Sequence, residues 1–262
     1  MSGLVPPPVL RRSGDEHGIF MIAYCAYAIG STWKGEHAGT WGHVGVFGFQ
    51  QGEHLPTGDG GMMVTNEDSV YEKVHCEYGC MGESPALMVL VYRMNEMTAV
   101  VGLGQISRVM GCVEEYRRSP DIMNQAIAGC KWLRPRRVTK EAKQSAYLWG
   151  CVLEGDKQGL GYGRFKQACA EAGAAGIGFG FTQRPAYSFD FSRLSSACGY
   201  PNCPVRCPHY DSKHACWENL CPVAEDLIPC LVCAGVMGLP EEAAKRRSDD
   251  LLRAIDICDK GG

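Results

Sequence analysis

Between Val44 and Thr65 the chain reads VGVFGFQQGEHLPTGDGGMMVT, and this stretch constrains the fold more than any other. Val44 to Phe49 is a short run of β-formers, Gly61 to Thr65 is another, and Gly58-Asp59-Gly60-Gly61 turns the chain between them. Glycine supplies the positive φ of a tight turn, and its bare backbone also lets amides approach an anion, so a plain hairpin turn and a ligand loop are both open readings. Glu53 and His54 lie inside the same stretch. Histidine titrates near neutral pH and an adjacent carboxylate tunes it, which makes the two a candidate acid and base. Neighbours on a strand face opposite ways, so they cooperate only from a loop.

The flanks fit an α/β chain. Phe20 to Tyr24 reads as a further short strand, and Asn66-Glu67-Asp68 as a helix start whose short polar side chains cap free amides. From about Met94, Ala99, Leu103, Ile106, Met110 and Val113 recur at spacings of four and three, which predicts a long helix packed through those residues and ending before Pro120. Ser145 to Leu153 reads as a strand and Arg164 to Glu171 as a helix stopped by Gly173. Pro222 to Cys233 and Glu241 to Cys258 read as helices, the second begun by Pro240 and followed by Gly261 and Gly262. Strands alternating with helices argue for α/β. The Pro-Pro-Pro run of MSGLVPPPVLRR suits an extended chain, so residues 1–18 are expected to be a disordered tail. A change of character near Gly129 to Pro135 divides the rest into 19–128 and 129–262.

Composition narrows the partners. A chain of 262 residues with 45% hydrophobic and 21% charged content can bury one or two cores, and a net charge of −3 offers no cationic field for nucleic acid. The apolar runs Ala86 to Val91 and Leu227 to Met237 fall short of a membrane span, and Met1 to Arg12 lacks the apolar core of a signal peptide, so the cytoplasm is the expected location. The fifteen cysteines are therefore expected as reduced, mostly buried thiols. Cys198, Cys203, Cys207, His209, His214, Cys216 and Cys221 crowd one stretch, from which Cys203, Cys207, His209 and Cys216 make a candidate zinc set. The spacing lacks paired C-x2-C knuckles, so loop thiols are the alternative.

Several ordered runs resemble one known family. The hairpin stretch is similar, without a gap, to the pattern S-F-Q-Q-x-K-x-x-x-x-G-[DE]-G-G, as Gly48-Phe49-Gln50-Gln51-Gly52-Glu53 and Gly58-Asp59-Gly60-Gly61. Tyr24-Cys25-Ala26-Tyr27-Ala28-Ile29-Gly30, with Trp33-Lys34-Gly35 and Gly39-Thr40, is similar to D-x-A-[QH]-A-x-G…[YW]-K-G…G-T. Tyr92-Arg93-Met94-Asn95-Glu96-Met97 with Gly102-Leu103-Gly104-Gln105-Ile106 resembles N-Y-R-M-x-E-x-x-A-A-x-G-L-x-Q-L, and Pro222-Val223-Ala224-Glu225-Asp226-Leu227 resembles P-x-A-E-x-L. On these runs the chain is identified as similar to DegT/DnrJ/StrS-type sugar aminotransferases, the Phe-Gln-Gln version pointing to keto-sugar or keto-cyclitol substrates.

The resemblance implies the remnant of a fold-type-I transferase: a large domain on a mixed, mainly parallel sheet, a small C-terminal α/β domain, and a homodimer with sites between subunits. It implies pyridoxal phosphate or pyridoxamine phosphate as cofactor, which the family lysine holds as a Schiff base before moving a proton. Here Glu53 takes the lysine position, Tyr24 that of the aspartate on the pyridinium nitrogen, Tyr27 that of a Gln or His near the ring, Gly48 that of a phosphate-binding Ser, and Val91 that of an Asn; Gln51 is retained. A carboxylate carries a proton but forms no imine, so any cofactor would be held non-covalently. Only about 18 residues precede the first matching strand, too few for the expected sheet. Exposed apolar edges then call for another chain. Three readings result: an aminotransferase relative without imine chemistry, a lysine-free dehydratase-like enzyme using His54, and a binding subunit pairing with an intact paralogue or a cysteine-rich metal module.

Overall fold

The computed structural model describes residues 7–78, 93–155, 160–180 and 221–260. Two compact units form, and both are discontinuous in sequence. The first comprises Met1–Asp121, Arg137–Leu148 and Val236–Ala244, the second Ile122–Arg136, Trp149–Gly235 and Lys245–Gly262. One cut near residue 129 does not separate them, because later segments return to the first unit: Ser145 bonds to Ser31, and the Leu239 carbonyl accepts from Ser119.

The first unit opens with helix α1 (Pro7–Glu16), where an extended tail was expected. Prolines cost little in a first turn, whose amides have no helical acceptor, so Pro7 and Pro8 start the helix. Gly18, at φ 63, ends it. Strands β1 (Ile22–Tyr24), β4 (Val44–Gly48) and β5 (Gly61–Thr65) form a mixed sheet in the order β1-β4-β5, β1 parallel and β5 antiparallel to β4. A second small sheet joins β2 (Thr32–Trp33), β3 (Glu36–His37) and β7 (Ala142–Lys143). Helix α2 (Asp68–Tyr78) follows β5.

Helix α3 (Glu96–Tyr116) is capped by Asn95, whose side chain accepts from the Thr98 amide at 2.9 Å. Its packed face differs from the expected one. Val109 and Val113 are buried with Phe49 and Leu55, whereas Leu103, Ile106 and Met110 face outward. The loop joining β4 and β5 explains this: a Cβ on Gly102 would lie 3.3 Å from Thr57, and the Gln105 amide donates to the Pro56 carbonyl, so small and polar side chains at helical spacing make the inner stripe. Pro120 does end α3's run, yet it falls in the first turn of the next helix, α4 (Arg118–Ile127).

The second unit holds a sheet in the order β6-β8-β10-β9, from β6 (Leu133–Pro135), β8 (Leu148–Leu153), β9 (Gly178–Phe179) and β10 (Leu231–Gly235). Alternation along β8 buries Trp149, Cys151 and Leu153. Helix α5 (Tyr162–Glu171) places the fully buried Phe165 edge-on to Trp132 and Phe179, with ring centroids 5.0 and 5.7 Å away. The helix expected over Pro222 to Cys233 stops early: α6 spans Pro222–Leu227, a 3-10 turn holds Pro229, and Leu231–Gly235 is strand. Burial of Val232 and Ala234 inside the sheet overrides the helical reading of that apolar run. The last helix, α7 (Glu241–Lys260), buries Leu251 and Ala254.

Candidate functional site

The loop between β4 and β5 is shaped by its own backbone. The amides of Phe49 and Gln51 donate to the carbonyls of Gly60 and Gly58 at 2.8 and 2.9 Å, and Gly58 and Gly60 adopt φ 96 and 148. Side chains other than glycine rarely enter that region, so Gly58 and Gly60 are required by the turn itself. Phe49 and Leu55 anchor the loop in the core.

Glu53 and His54 both lie within this loop and both are 6% exposed. The Glu53 carboxylate folds back to accept from the Gln50 amide at 3.2 Å. Burial pushes its pKa up from the usual carboxylate value, and the Gln50 hydrogen bond pulls part of the way back. A Cβ built on Gly48 would lie 2.3, 2.5 and 2.7 Å from the Glu53 Oε2, Oε1 and Cδ atoms, so the carboxylate fills the space beside that glycine.

The ring of His54 points elsewhere. Its Nε2–H donates to the Ser145 carbonyl at 3.1 Å, and Nδ1 is buried without a hydrogen-bond partner among the described residues. A carbonyl only accepts, so Nε2 carries a proton. Burial lowers the imidazole pKa, the Ser145 carbonyl raises it in part, and the Arg117 charge lowers it further. Glu53 and His54 therefore share a loop but form no hydrogen-bonded pair.

Residues 145–147 complete the surroundings. Ser145 donates through Oγ to the Tyr27 carbonyl and through its amide to Ser31 Oγ, Ala146 adopts φ 58, and the Tyr147 ring lies 4.3 Å from that of Tyr27 and 5.8 Å from that of His54. The Tyr147 phenol is pushed up by burial first, then by the Tyr27 and Glu53 charges. Tyr27 and His54 are thus gathered around Tyr147 and Ser145, with the Glu53 charge felt at the Tyr147 phenol and Gly48 against Glu53. Tyr24 is not among them: it stands at the end of β1, 73% exposed. Gln51 is exposed and engages the turn through its backbone. Lys34 lies exposed in the turn between β2 and β3 at φ 50. Val91 and the candidate zinc set Cys203, Cys207, His209 and Cys216 lie outside the described residues; among the described ones no cluster suits a metal ion. Sequence reasoning missed Ser145 and Tyr147, which it had placed in a strand, because an alanine at positive φ leaves no compositional trace.

The model of the DegT/DnrJ/EryC1/StrS aminotransferase family matches residues 7–188. GDP-perosamine synthase of Vibrio cholerae is 34% identical over 155 residues, which are 55% of this chain and 41% of that protein. L-glutamine:2-deoxy-scyllo-inosose aminotransferase of Streptomyces kanamyceticus is 43% identical over 56 residues, 21% of this chain and 13% of that one. The solved aminotransferase of Psychrobacter cryohalolentis superposes with a TM-score of 0.73 at 21% identity, over 96% of this chain and 66% of its own. The chain thus spans about two fifths of the curated synthase it matches and about two thirds of the solved enzyme.

The family is pyridoxal-phosphate dependent, and its solved members include forms with that cofactor and with pyridoxamine phosphate. Residues here do not fit a lysine-held cofactor. The loop between β4 and β5 contains no lysine; its buried carboxylate, Glu53, accepts from the Gln50 amide and is seated against Gly48. With its family model matched over more than half its length and its fold shared with a solved member, the chain belongs to the DegT/DnrJ/EryC1/StrS aminotransferase family.

Proposed function

We propose that this chain is a sugar-aminotransferase relative that retains the family fold while lacking the imine step. In its relatives' chemistry an amino group passes from glutamate or glutamine to a keto-sugar or keto-cyclitol; in this chain that transfer is impaired, and any pyridoxal or pyridoxamine phosphate would be held without a covalent link. One observation carries the reading: Glu53, at the lysine position, is buried and held by the Gln50 amide. Neither a carboxylate nor a phenol such as Tyr147 can form an imine. We read the first unit as the remnant of the cofactor domain and the second as the small domain. The cytoplasm fits the fact that no described helix is long and apolar enough to cross a membrane.

The test is chemical. Purified chain incubated with pyridoxal phosphate and reduced with borohydride is expected to show no phosphopyridoxyl adduct on the peptide 44–65, and no amino transfer from glutamate to a keto-sugar. An adduct on any lysine at one equivalent, together with turnover, would falsify this reading.

A second reading is favoured by the first unit's surface. Ile22, Tyr24, Met97, Leu103 and Ile106 are exposed on β1 and α3. Such a surface suits a subunit that pairs with its own copy or with an intact paralogue.

A further inference from the structure

The glycine at position 48 has a specific cause. Gly48 is not among the residues with positive φ, so its backbone accepts any side chain. The three atoms nearest to a Cβ there all belong to Glu53, at 2.3, 2.5 and 2.7 Å, distances real Cβ contacts essentially never show. Those atoms are the end of a flexible side chain, so the carboxylate, not the backbone, would have to move. Moving it would break the hydrogen bond from the Gln50 amide and leave that amide without its acceptor. The loop around it is fastened on several sides: Gln50 Oε1 accepts from the Gly52 amide at 2.7 Å, the Thr57 amide donates to the Phe49 carbonyl at 2.9 Å, and Gln105 donates to the Pro56 carbonyl. None of these contacts calls for a ligand.

We propose that Gly48 and Glu53 form a mutually dependent pair in which the carboxylate, lodged in the side-chain space of residue 48, acts as an internal plug, so that the loop is complete without pyridoxal phosphate and closed to it. This deepens the reading that the chain lacks imine chemistry, and rests on it. The two claims part experimentally, because one concerns a covalent bond and the other concerns occupancy. A chain that merely lacked the lysine would still bind the cofactor non-covalently. Here the plug would have to be displaced before the cofactor phosphate could reach residue 48.

Two measurements test the plug. In the first, the parent and Glu53→Ala are titrated with pyridoxal phosphate and pyridoxamine phosphate by equilibrium dialysis, with borohydride omitted. The parent is expected to bind neither, and E53A to gain at least roughly tenfold in affinity, since truncation opens the space beside Gly48. Non-covalent binding by the parent as tight as by E53A, or silence from both, overturns the proposal while leaving the absence of an imine untouched. The second needs no ligand. Gly48→Ala is expected to lower the Tm by on the order of 5 °C in the parent and to change it little in the E53A background, because the atoms it meets are then gone. Equal Tm losses in both backgrounds overturn the pairing. If E53A does not fold, Glu53→Ser serves both measurements, keeping the loop polar while still removing the carboxylate.

Discussion

The two units differ in how well each covers itself. Of the twenty large apolar side chains left exposed among the described residues, seventeen belong to the first unit and three, Val223, Leu227 and Leu252, to the second. The second unit closes its sheet around Phe165, Cys151, Val232 and Leu251. In the first, edge strand β1 leaves Ile22 and Tyr24 in the open, and α3 turns Met97, Val100, Leu103 and Ile106 outward. The same unit holds, among the described residues, the buried acid Glu53 and the buried histidine His54.

The largest effect expected from this contrast is in the second unit's core. Phe165→Ala removes a fully buried ring that meets Trp132 and Phe179 edge-on, and should cost about 3–5 kcal/mol, combining lost transfer energy with the cavity left behind. Urea denaturation followed by far-UV circular dichroism reads it. A loss below about 1 kcal/mol would mean that this core is no better closed than the first unit's.

Next in size is thiol reactivity. Burial pushes the Cys169 thiol up to about 12 and that of Cys151 higher still, while Cys221 is exposed. The thiolate is the nucleophile, so native protein at pH 8 should alkylate Cys221 at least roughly a hundredfold faster than Cys169 or Cys151, as peptide mass spectrometry would show. Cys25, pushed up to about 11 by burial, gives the first unit its own protected thiol. Similar protection at Cys25 and Cys169 would sharpen the comparison, by showing that the first unit is open on its surface and not at its centre.

Much of this division was legible in the sequence, and the exceptions have local causes. The strands at Val44–Gly48 and Gly61–Thr65 follow from β-formers on either side of a glycine turn, and the structure has both. The α3 stripe was misread because periodicity reports apolar residues without saying which stripe meets a partner; Gly102 and Gln105 on the inner face carry no hydrophobic signal. In the site, Glu53 could be placed by its register against Gly58-Asp59-Gly60-Gly61, but its partner could not. That Gly48 leaves room for a side chain five residues on is a fact of three dimensions. Likewise the approach of Ser145 to His54, 91 residues away, depends on a positive φ at Ala146 that composition does not announce.

Smaller effects come from titration in the first unit. Glu53 has a pKa raised by burial, so the folded state holds a proton that the unfolded chain releases above its ordinary value of 4.5. Its contribution is fully present below that value and is lost as pH rises through the folded pKa. His54 has a lowered pKa, so its contribution is present above 6.5 and is lost as pH falls through the folded value. His37, also lowered by burial, has the same sign as His54. Thermal midpoints across pH 4 to 8 should accordingly lose their decline on the alkaline side of 4.5 in Glu53→Gln, and in His54→Gln should retain only the His37 share of the acid-side loss. Unchanged profiles in both variants would show that neither group is buried as the loop geometry requires.

The smallest change in stability is expected on the outer face of α3, and there the smallness is informative. Leu103 is 70% exposed, so Leu103→Gln gives up little buried area, and glutamine is as good a helix former as leucine. The isolated chain should shift by no more than about 0.5 kcal/mol. Self-association should respond more. A leucine flanked at three-residue spacing by exposed Val100 and Ile106 belongs to a patch whose burial against a partner would gain roughly 25 cal/mol per Å² of apolar area, and a polar amide at its centre forfeits part of that. Sedimentation of parent and variant at matched concentrations separates the two effects. Weakened association with unchanged unfolding identifies the face as a contact surface, whereas a loss of stability beyond about 1 kcal/mol in the monomer would place Leu103 in a core and erase the difference between the two units at this helix.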